Sequence, residues 1–390
     1  MFRRPVARAF LALTLASATT AAEPGVRWEL GGEVAGYGDT DNVWVVTPSV
    51  RAAAREPGAG WDANGSYLVD VVSAASVDIV SSASPRWLEL RHAGTLGAGY
   101  KPGRAGVALS LATSVEPDFV ALAGGLTGSY DFARKNVVAS LGYFYEHDVA
   151  GRTGTPFSVY ALRLDRHELT ARAEIVLGQS TTLTPALDLQ LESGRQEKPY
   201  RFLALFDASV APRVPVGASI DRVNQLRLPG RVAERLPDTR LRWAASARLA
   251  HRFERSTLVL WDRAYLDSWG LLGTTTDLRW VFELSRRWSL WPHARFHDQS
   301  GVSFWRRAYV GSVSAGTVVV PEHRSGDREL SPLWTLTAGP GVAFDLGSPD
   351  PRGASLSLEI EGSYTSFRDA LYLEHRWAGF AVAGFTLRFE

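Results

Sequence analysis

Residues 239–253 read TRLRWAASARLAHRF and alternate between two kinds of side chain. The mostly apolar set is Thr239, Leu241, Trp243, Ala245, Ala247, Leu249 and Phe253, and the mostly basic set is Arg240, Arg242, Ser246, Arg248 and Arg252. A strand places these sets on opposite faces, whereas a helix would mix them. Four arginines cannot face lipid, where each costs about 2–4 kcal/mol near the midplane. The segment therefore predicts a strand between lipid and a hydrated lumen.

The same alternation recurs along the chain. Sixteen segments show it, near residues 26–37, 43–54, 61–72, 86–99, 104–115, 119–132, 136–147, 166–177, 181–192, 238–253, 256–268, 273–285, 287–298, 331–346, 353–366 and 378–389. Short connectors alternate with longer ones at 73–85, 149–165, 193–237 and 299–330, and residues 200–211 could add a strand within one of these. Bacterial outer-membrane barrels combine an even strand number with short periplasmic turns and long external loops.

We therefore predict an all-β fold: a transmembrane antiparallel β-barrel of about 16 strands, within a range of 14–18. A soluble sandwich is the alternative. Tryptophans such as Trp28, Trp44, Trp280 and Trp288 argue against it, because they fall at predicted strand ends, where a membrane interface favours this side chain. The absence of cysteine also fits a fold closed by backbone hydrogen bonds instead of disulfides.

The first 22 residues have the features of a secretory signal peptide. Arg3, Arg4 and Arg8 precede a short apolar run, and small residues follow up to Ala22. We predict a cleaved signal peptide at 1–22, a barrel at 23–390 and a location in the outer membrane of a Gram-negative bacterium. Without the three arginines the formal charge of +1 falls to −2, which indicates no nucleic-acid partner. Outer-membrane lipid and the barrel-insertion machinery are the expected partners.

Charged residues of both signs fall on the predicted inward faces. The candidates for a lumen lining are Arg240, Arg242, Arg248, Arg252, Glu168, Arg172, Glu174, Asp188, Glu359 and Glu361. One interpretation is that the arginines of 239–253 line one wall and face acidic residues opposite, which would set a transverse field across a pore. The other is that opposite charges pair within the wall and only make it rigid. The sequence favours neither.

Residues 70–84, DVVSAASVDIVSSAS, hold two carboxylates among small residues. Asp70 and Asp78 are candidates for a constriction or a cation site, because hard cations prefer oxygen ligands. The alternative is a loop of small residues with two solvated or capped carboxylates, and the sequence favours that alternative.

Two histidine-containing segments have ligand types found in metal sites. His293 and His297 share one face of a predicted strand, but they lie about 13 Å apart and no acidic residue separates them. Glu146, His147 and Asp148 stand at a strand end, where charged residues are common. No pattern indicates a catalytic triad, a G-x-S-x-G motif or a phosphate-binding loop. We therefore predict no catalytic residue, metal or cofactor, and no enzyme.

Three blocks carry a resemblance: DVVSAASVDIVSSASPRW at 70–87, EKPYRF at 197–202 and ERLPDTRLRWA at 234–244. They are similar to a family of bacterial outer-membrane proteins classed only as a domain of unknown function. The resemblance implies a barrel of this length with an unassigned role. Some large barrels of myxobacteria are similar in arrangement and act as exit porins beside polysaccharide-export machinery, so a polysaccharide-export complex is a further candidate partner.

The sequence supports two functions from different classes. A porin-like channel would pass hydrophilic solutes or an exported polymer through a charged lumen. A non-conducting surface barrel would act as an adhesin, receptor or assembly partner through loops 193–237 and 299–330. A barrel hydrolase is a third hypothesis, and it requires a serine within hydrogen-bonding distance of a histidine at the rim.

Overall fold

Long antiparallel strands close into a barrel in the computed structural model, which describes residues 25–74, 87–314, 317–347 and 353–390. Within these ranges the barrel has sixteen strands. They are β1 (Arg27–Asp39), β2 (Val43–Glu56), β3 (Trp61–Ala74), β4 (Trp87–Tyr100), β5 (Ala105–Glu116), β6 (Phe119–Phe132), β7 (Val137–Ala150), β8 (Leu162–Gly178), β9 (Thr181–Gly194), β13 (Thr239–Arg252), β14 (Ser256–Asp267), β15 (Leu272–Glu283), β16 (Trp288–Gln299), β20 (Leu333–Asp345), β21 (Gly353–Phe367) and β22 (His375–Phe389). The predicted fold class and strand number are confirmed.

Six short strands and one α-helix lie in the long connections of the described chain. The strands are β10 (Phe202–Leu203), β11 (Leu205–Phe206), β12 (Val232–Ala233), β17 (Tyr309–Val310), β18 (Ser312–Ser314) and β19 (Thr317–Val319), and the helix is α1 (Ile220–Leu226). Short 3-10 helices lie at Ala133–Lys135, Ala211–Arg213 and Arg328–Leu330. The extra strand expected at 200–211 is divided in two, since β10 pairs with β12 and β11 pairs with β17.

The first and last strands close the barrel. β1 and β22 pair antiparallel from Trp28 opposite Phe389 to Asp39 opposite Ala378. Two strands begin earlier than predicted, β8 at Leu162 and β22 at His375. Both extend at the end where the long connections lie, which we call the long-loop end; the opposite end is the short-turn end.

The outward face of the barrel is apolar and exposed. Leu96 and Leu122 keep 64% and 62% of their surface accessible. Such a continuous apolar band on a folded chain matches lipid better than water, because soluble proteins rarely expose large apolar patches. Among the described residues, no helix is long and apolar enough to cross a membrane.

Asp262 interrupts this apolar face. It is exposed on β14, where it pairs in register with the outward-facing Ala247 on β13 and Thr276 on β15. Its carboxylate accepts a hydrogen bond from the Thr276 hydroxyl at 3.3 Å. Aromatic residues flank it toward both ends of the strand, with Trp243 on one side and Trp280 on the other. Asp262 therefore lies near the middle of the apolar band.

The loops of the long-loop end pack into a second body, which we call the cap. It consists of the described parts of 195–238, 300–332 and 368–374. Phe206 and Val223 are fully buried in its main apolar cluster, and a second cluster packs Trp269 of the β14–β15 turn against Trp305. The cap has an apolar packed interior like that of a small globular domain, whereas the barrel carries its apolar side chains outward.

Candidate functional site

The inward face of β13 carries arginines that pair with carboxylates on neighbouring strands. Arg240 contacts Asp267 on β14 at 2.5 Å, and both side chains are buried. Arg242 lies 3.0 Å from Glu192 on β9. Arg252 pairs with Glu283 on β15 at 2.5 Å, and this pair is about half exposed. The partners are thus beside the arginines in the wall, and not across the lumen as the transverse-field interpretation requires.

Arg166 is the centre of a buried ion network in the adjoining wall. Its guanidinium lies 2.7 Å from Glu146, 2.7 Å from Asp148 and 3.2 Å from Glu192. Glu192 also contacts Arg242, so the network joins β7, β8, β9 and β13. His147 points to the opposite face and contacts Asp165, because neighbouring residues of a strand alternate. Glu146, His147 and Asp148 therefore cannot share one metal ion.

Arg172 on β8 and Arg248 on β13 belong to the inner wall, and neither has a carboxylate within ion-pair distance among the described residues. The two guanidinium groups are close enough to repel each other. Near them, Glu168 and Asp188 accept hydrogen bonds from the Thr170 hydroxyl at 3.2 and 3.1 Å. Glu174 lies close enough to Arg172 to interact with it electrostatically. In this part of the wall Arg172 and Arg248 therefore lie among the carboxylates of Glu174 and Asp188 without a direct ion pair.

Asp70 lies within β3 and not in a loop. Its carboxylate pairs with Arg91 on β4 and accepts a hydrogen bond from the Thr47 hydroxyl on β2 at 2.5 Å. Asp78 lies outside the described residues. The charge of Asp70 is therefore balanced by Arg91, a residue of the barrel wall.

His293 joins two carboxylates that sequence spacing did not bring together. Its Nε2 lies 3.0 Å from Asp277 on β15, and its Nδ1 contacts Glu361 on β21. Glu359, also on β21, accepts a hydrogen bond from Arg279 at 2.9 Å. The sequence interpretation considered acidic residues only between the histidines, so it missed partners from strands distant in the chain. His297 is separate, with Thr275 and Gln299 as neighbours.

A chain of polar contacts runs through the cap and fixes it to the barrel rim. On one side the Tyr200 hydroxyl donates to Asp118 in the β5–β6 turn at 2.5 Å. On the other side Arg328 lies 2.6 Å from Asp41 in the β1–β2 turn. Between them Arg201 contacts Asp327 at 2.7 Å. Because Arg201 follows Tyr200 in the chain and Arg328 follows Asp327, this contact links the two sides of the rim. We call this chain of contacts the cap tether.

Asp327 is the charged centre of the cap tether. Burial alone would raise its pKa, but Arg201 and Lys198 outweigh that effect and hold the pKa of the Asp327 carboxyl well below its usual range. Glu234 is fully buried beside Arg201 and accepts a hydrogen bond from the Ser325 hydroxyl at 2.6 Å. The blocks 197–202 and 234–244 therefore meet here, where the cap joins the barrel.

The model of the family described as "Protein of unknown function (DUF3570)" matches residues 70–361. The chain belongs to this family. The resemblance expected from the three sequence blocks is thereby confirmed. No curated protein matches the sequence.

Several solved outer-membrane proteins have a similar architecture at low sequence identity. A bacterial polysaccharide outer membrane secretin has a TM-score of 0.47 at 9% identity, with 95% of this chain and 100% of the other covered. The outer membrane protein opdK from Pseudomonas aeruginosa gives 0.42 at 8%, covering 94% and 99%. The siderophore receptor PirA from Acinetobacter baumannii gives 0.40 at 9%, covering 95% and 81%. At these values the similarities assign no function.

Proposed function

We propose that this DUF3570 protein is a channel of the Gram-negative outer membrane that passes hydrophilic solutes or an exported polymer. The observation that carries the proposal is the inner wall of a closed sixteen-stranded barrel, which holds ion pairs and charged side chains such as Arg172 and Arg248 in place of packed apolar side chains. Barrels of about eight strands are filled by their side chains, whereas barrels of about 16–18 strands leave an aqueous channel.

The residues proposed to line this pathway are those predicted from the sequence. They are Arg240, Arg242, Arg248, Arg252, Glu168, Arg172, Glu174, Asp188, Glu359 and Glu361. Of these, Arg172 and Arg248 make no direct ion pair, so their side chains are expected to be the wall cations most available to a passing anion. Asp70 is proposed as a wall residue only, since Arg91 offsets its charge.

Single-channel conductance in planar bilayers tests the channel. We expect discrete openings for the wild-type protein, and a lower ratio of anion to cation permeability in Arg248→Gln than in the wild type. Arg248→Lys is the matched control, because it keeps the positive charge at the same position and should keep the wild-type ratio. A purified, folded barrel that never conducts, with or without its cap, would show that the proposal is wrong.

The cap favours a second candidate, a barrel that conducts little and binds a partner through its long loops. Deleting residues 203–233 separates the two, and the structure makes this deletion feasible: the backbone N–H of Glu234 already donates to the carbonyl of Arg201 at 2.9 Å. A rise in conductance identifies the cap as a plug. Unchanged conductance together with loss of a bound partner identifies it as a docking surface.

A further inference from the structure

We propose that His293, Glu359 and Glu361 form a binding site for one divalent transition-metal ion on the inner wall of the barrel. A ligand atom from each of the three side chains lies within 4.8 Å of the other two. One imidazole and two carboxylates are a ligand set that zinc uses in proteins, with water completing the coordination. Imidazole nitrogen favours zinc and related metals over calcium or magnesium.

The orientation of the imidazole supports this assignment. Asp277 accepts a hydrogen bond from the Nε2 side of His293 at 3.0 Å, which leaves Nδ1 directed at Glu361. Histidines that bind metals usually donate their other ring N–H to a carboxylate in this way, which fixes the tautomer and the ring direction. Asp277 is therefore a positioning residue for the proposed site and does not itself bind the metal.

The intervening strand is shaped to let these side chains meet. β20 lies between β16 and β21, so His293 and Glu361 project from strands about 9–10 Å apart. The β20 residue in register with His293 is Gly339, and the one in register with Trp291 and Glu359 is Gly341. A Cβ on Gly341 would lie 2.0 Å from the Trp291 ring. Gly339 thus places no side chain beside His293 on β20, and the space at Gly341 is taken by the Trp291 ring.

The charge balance around the cluster allows one added cation to bind. The cluster contains three carboxylates, from Asp277, Glu359 and Glu361, and the nearby fixed cations are Arg279 and Arg295. The remaining negative charge is balanced either by a proton on His293 or by the metal. Binding would release the Nδ1 proton to solvent and would displace Arg279 from Glu359. Arg279 is half-exposed and can turn into the lumen.

Equilibrium dialysis of the untagged, folded barrel against Zn²⁺ tests the site. We expect one zinc per wild-type chain, loss of that zinc in His293→Ala and in Glu361→Gln, and affinity weaker by about 10–100-fold in Asp277→Asn. His297→Ala is the matched control, since His297 lies on the same face of the same strand, and it should bind like the wild type. The heat-dependent shift in gel mobility of folded barrels verifies that each variant is folded.

A variant expected to gain zinc affinity distinguishes loss of the site from misfolding, because a misfolded barrel would not bind zinc more tightly. Arg279→Gln removes the competing cation, so we expect zinc to bind roughly five- to tenfold more tightly, as expected for a single charge at this range in water. Co²⁺ in place of Zn²⁺ should give the visible absorption of a four-coordinate ion in the wild type and not in His293→Ala. No bound zinc in the wild type, equal binding in His293→Ala, or weaker binding in Arg279→Gln would each overturn the proposal and leave an ion-pair cluster.

Discussion

The barrel and the cap belong to one chain but bury opposite surfaces. The barrel exposes leucines such as Leu122 to lipid and buries ion pairs such as Arg240 with Asp267, whereas the cap buries Phe206 and Val223 and fixes its edges with polar contacts. The difference shows that the surrounding medium decides which residues form an interior. In lipid the backbone hydrogen bonds of the strands carry the structure. In water the cap depends on apolar packing.

The largest expected effect separates the two bodies. Phe206→Ala should destabilise the cap by about 3–5 kcal/mol, because it opens a cavity in a fully packed cluster, and should leave the barrel folded. Trypsin should then cleave the cap after Arg213 or Arg227 while the barrel keeps its folded gel mobility. Leu122→Ala, on the lipid face, is the control and should alter neither. Unfolding of the barrel together with the cap would contradict the separation.

The second prediction concerns the ion pairs of the barrel. Arg166→Met should destabilise the barrel by about 3 kcal/mol, because Glu146, Asp148 and Glu192 lose their shared cation while remaining buried. Arg252→Met should change the stability by at most about 1 kcal/mol, since its pair with Glu283 is half exposed. Urea unfolding in lipid vesicles measures both. Equal losses of stability in the two variants would mean that burial does not determine how much these ion pairs stabilise the barrel.

The third prediction uses pH to open the cap tether. The pKa of Asp327 is lower in the folded cap than in an unfolded chain, so its charge stabilises the cap above the ordinary aspartate pKa of about 3.9. That contribution is lost as the pH falls from this value toward the lowered one. We expect the loss to reach about 1.5–3 kcal/mol, seen as faster hydrogen exchange of the cap below about pH 4. Asp327→Asn should be destabilised at neutral pH and should lack this step.

The smallest effect is expected on the lipid face. Asp262→Asn should stabilise the barrel by about 1 kcal/mol, because a carboxylate in the middle of the apolar band is unfavourable there. Asp188→Asn, on the inner wall of β9 two strands away, is the control and should bring no gain, because that carboxylate accepts a hydrogen bond from Thr170 on the lumen side. The same urea titration measures both variants. Destabilisation by Asp262→Asn would show that another group neutralises this charge in the membrane.

The barrel could be predicted from the sequence because alternation is a local property. Each strand shows its two faces within about ten residues, as in 239–253, and counting strands gives the closure. The lumen candidates also follow from alternation, but their partners do not. Arg242 and Glu192 are adjacent only because β9 and β13 pair across a long connection, and no local pattern encodes that register.

The cap and the His293 cluster were not predictable in this way. The cap joins short pieces such as β11 and β17, which are too short to show any period. The cluster at His293 takes its carboxylates from β15 and β21, and the glycine in register with His293 lies on a third strand, β20. A search for inward glycines beside a histidine-bearing strand could have found it, once the strand order was known.

The contact between Arg328 and Asp41 also imposes an order on assembly. Asp41 follows the first strand, whereas Arg328 precedes the last three, so their pairing needs nearly the whole chain in place. Contacts so distant in sequence form late, because a long loop must close before they stabilise anything. The Arg328–Asp41 contact is therefore expected to form after the cap cluster around Phe206 and Val223, whose buried residues all lie within 204–223.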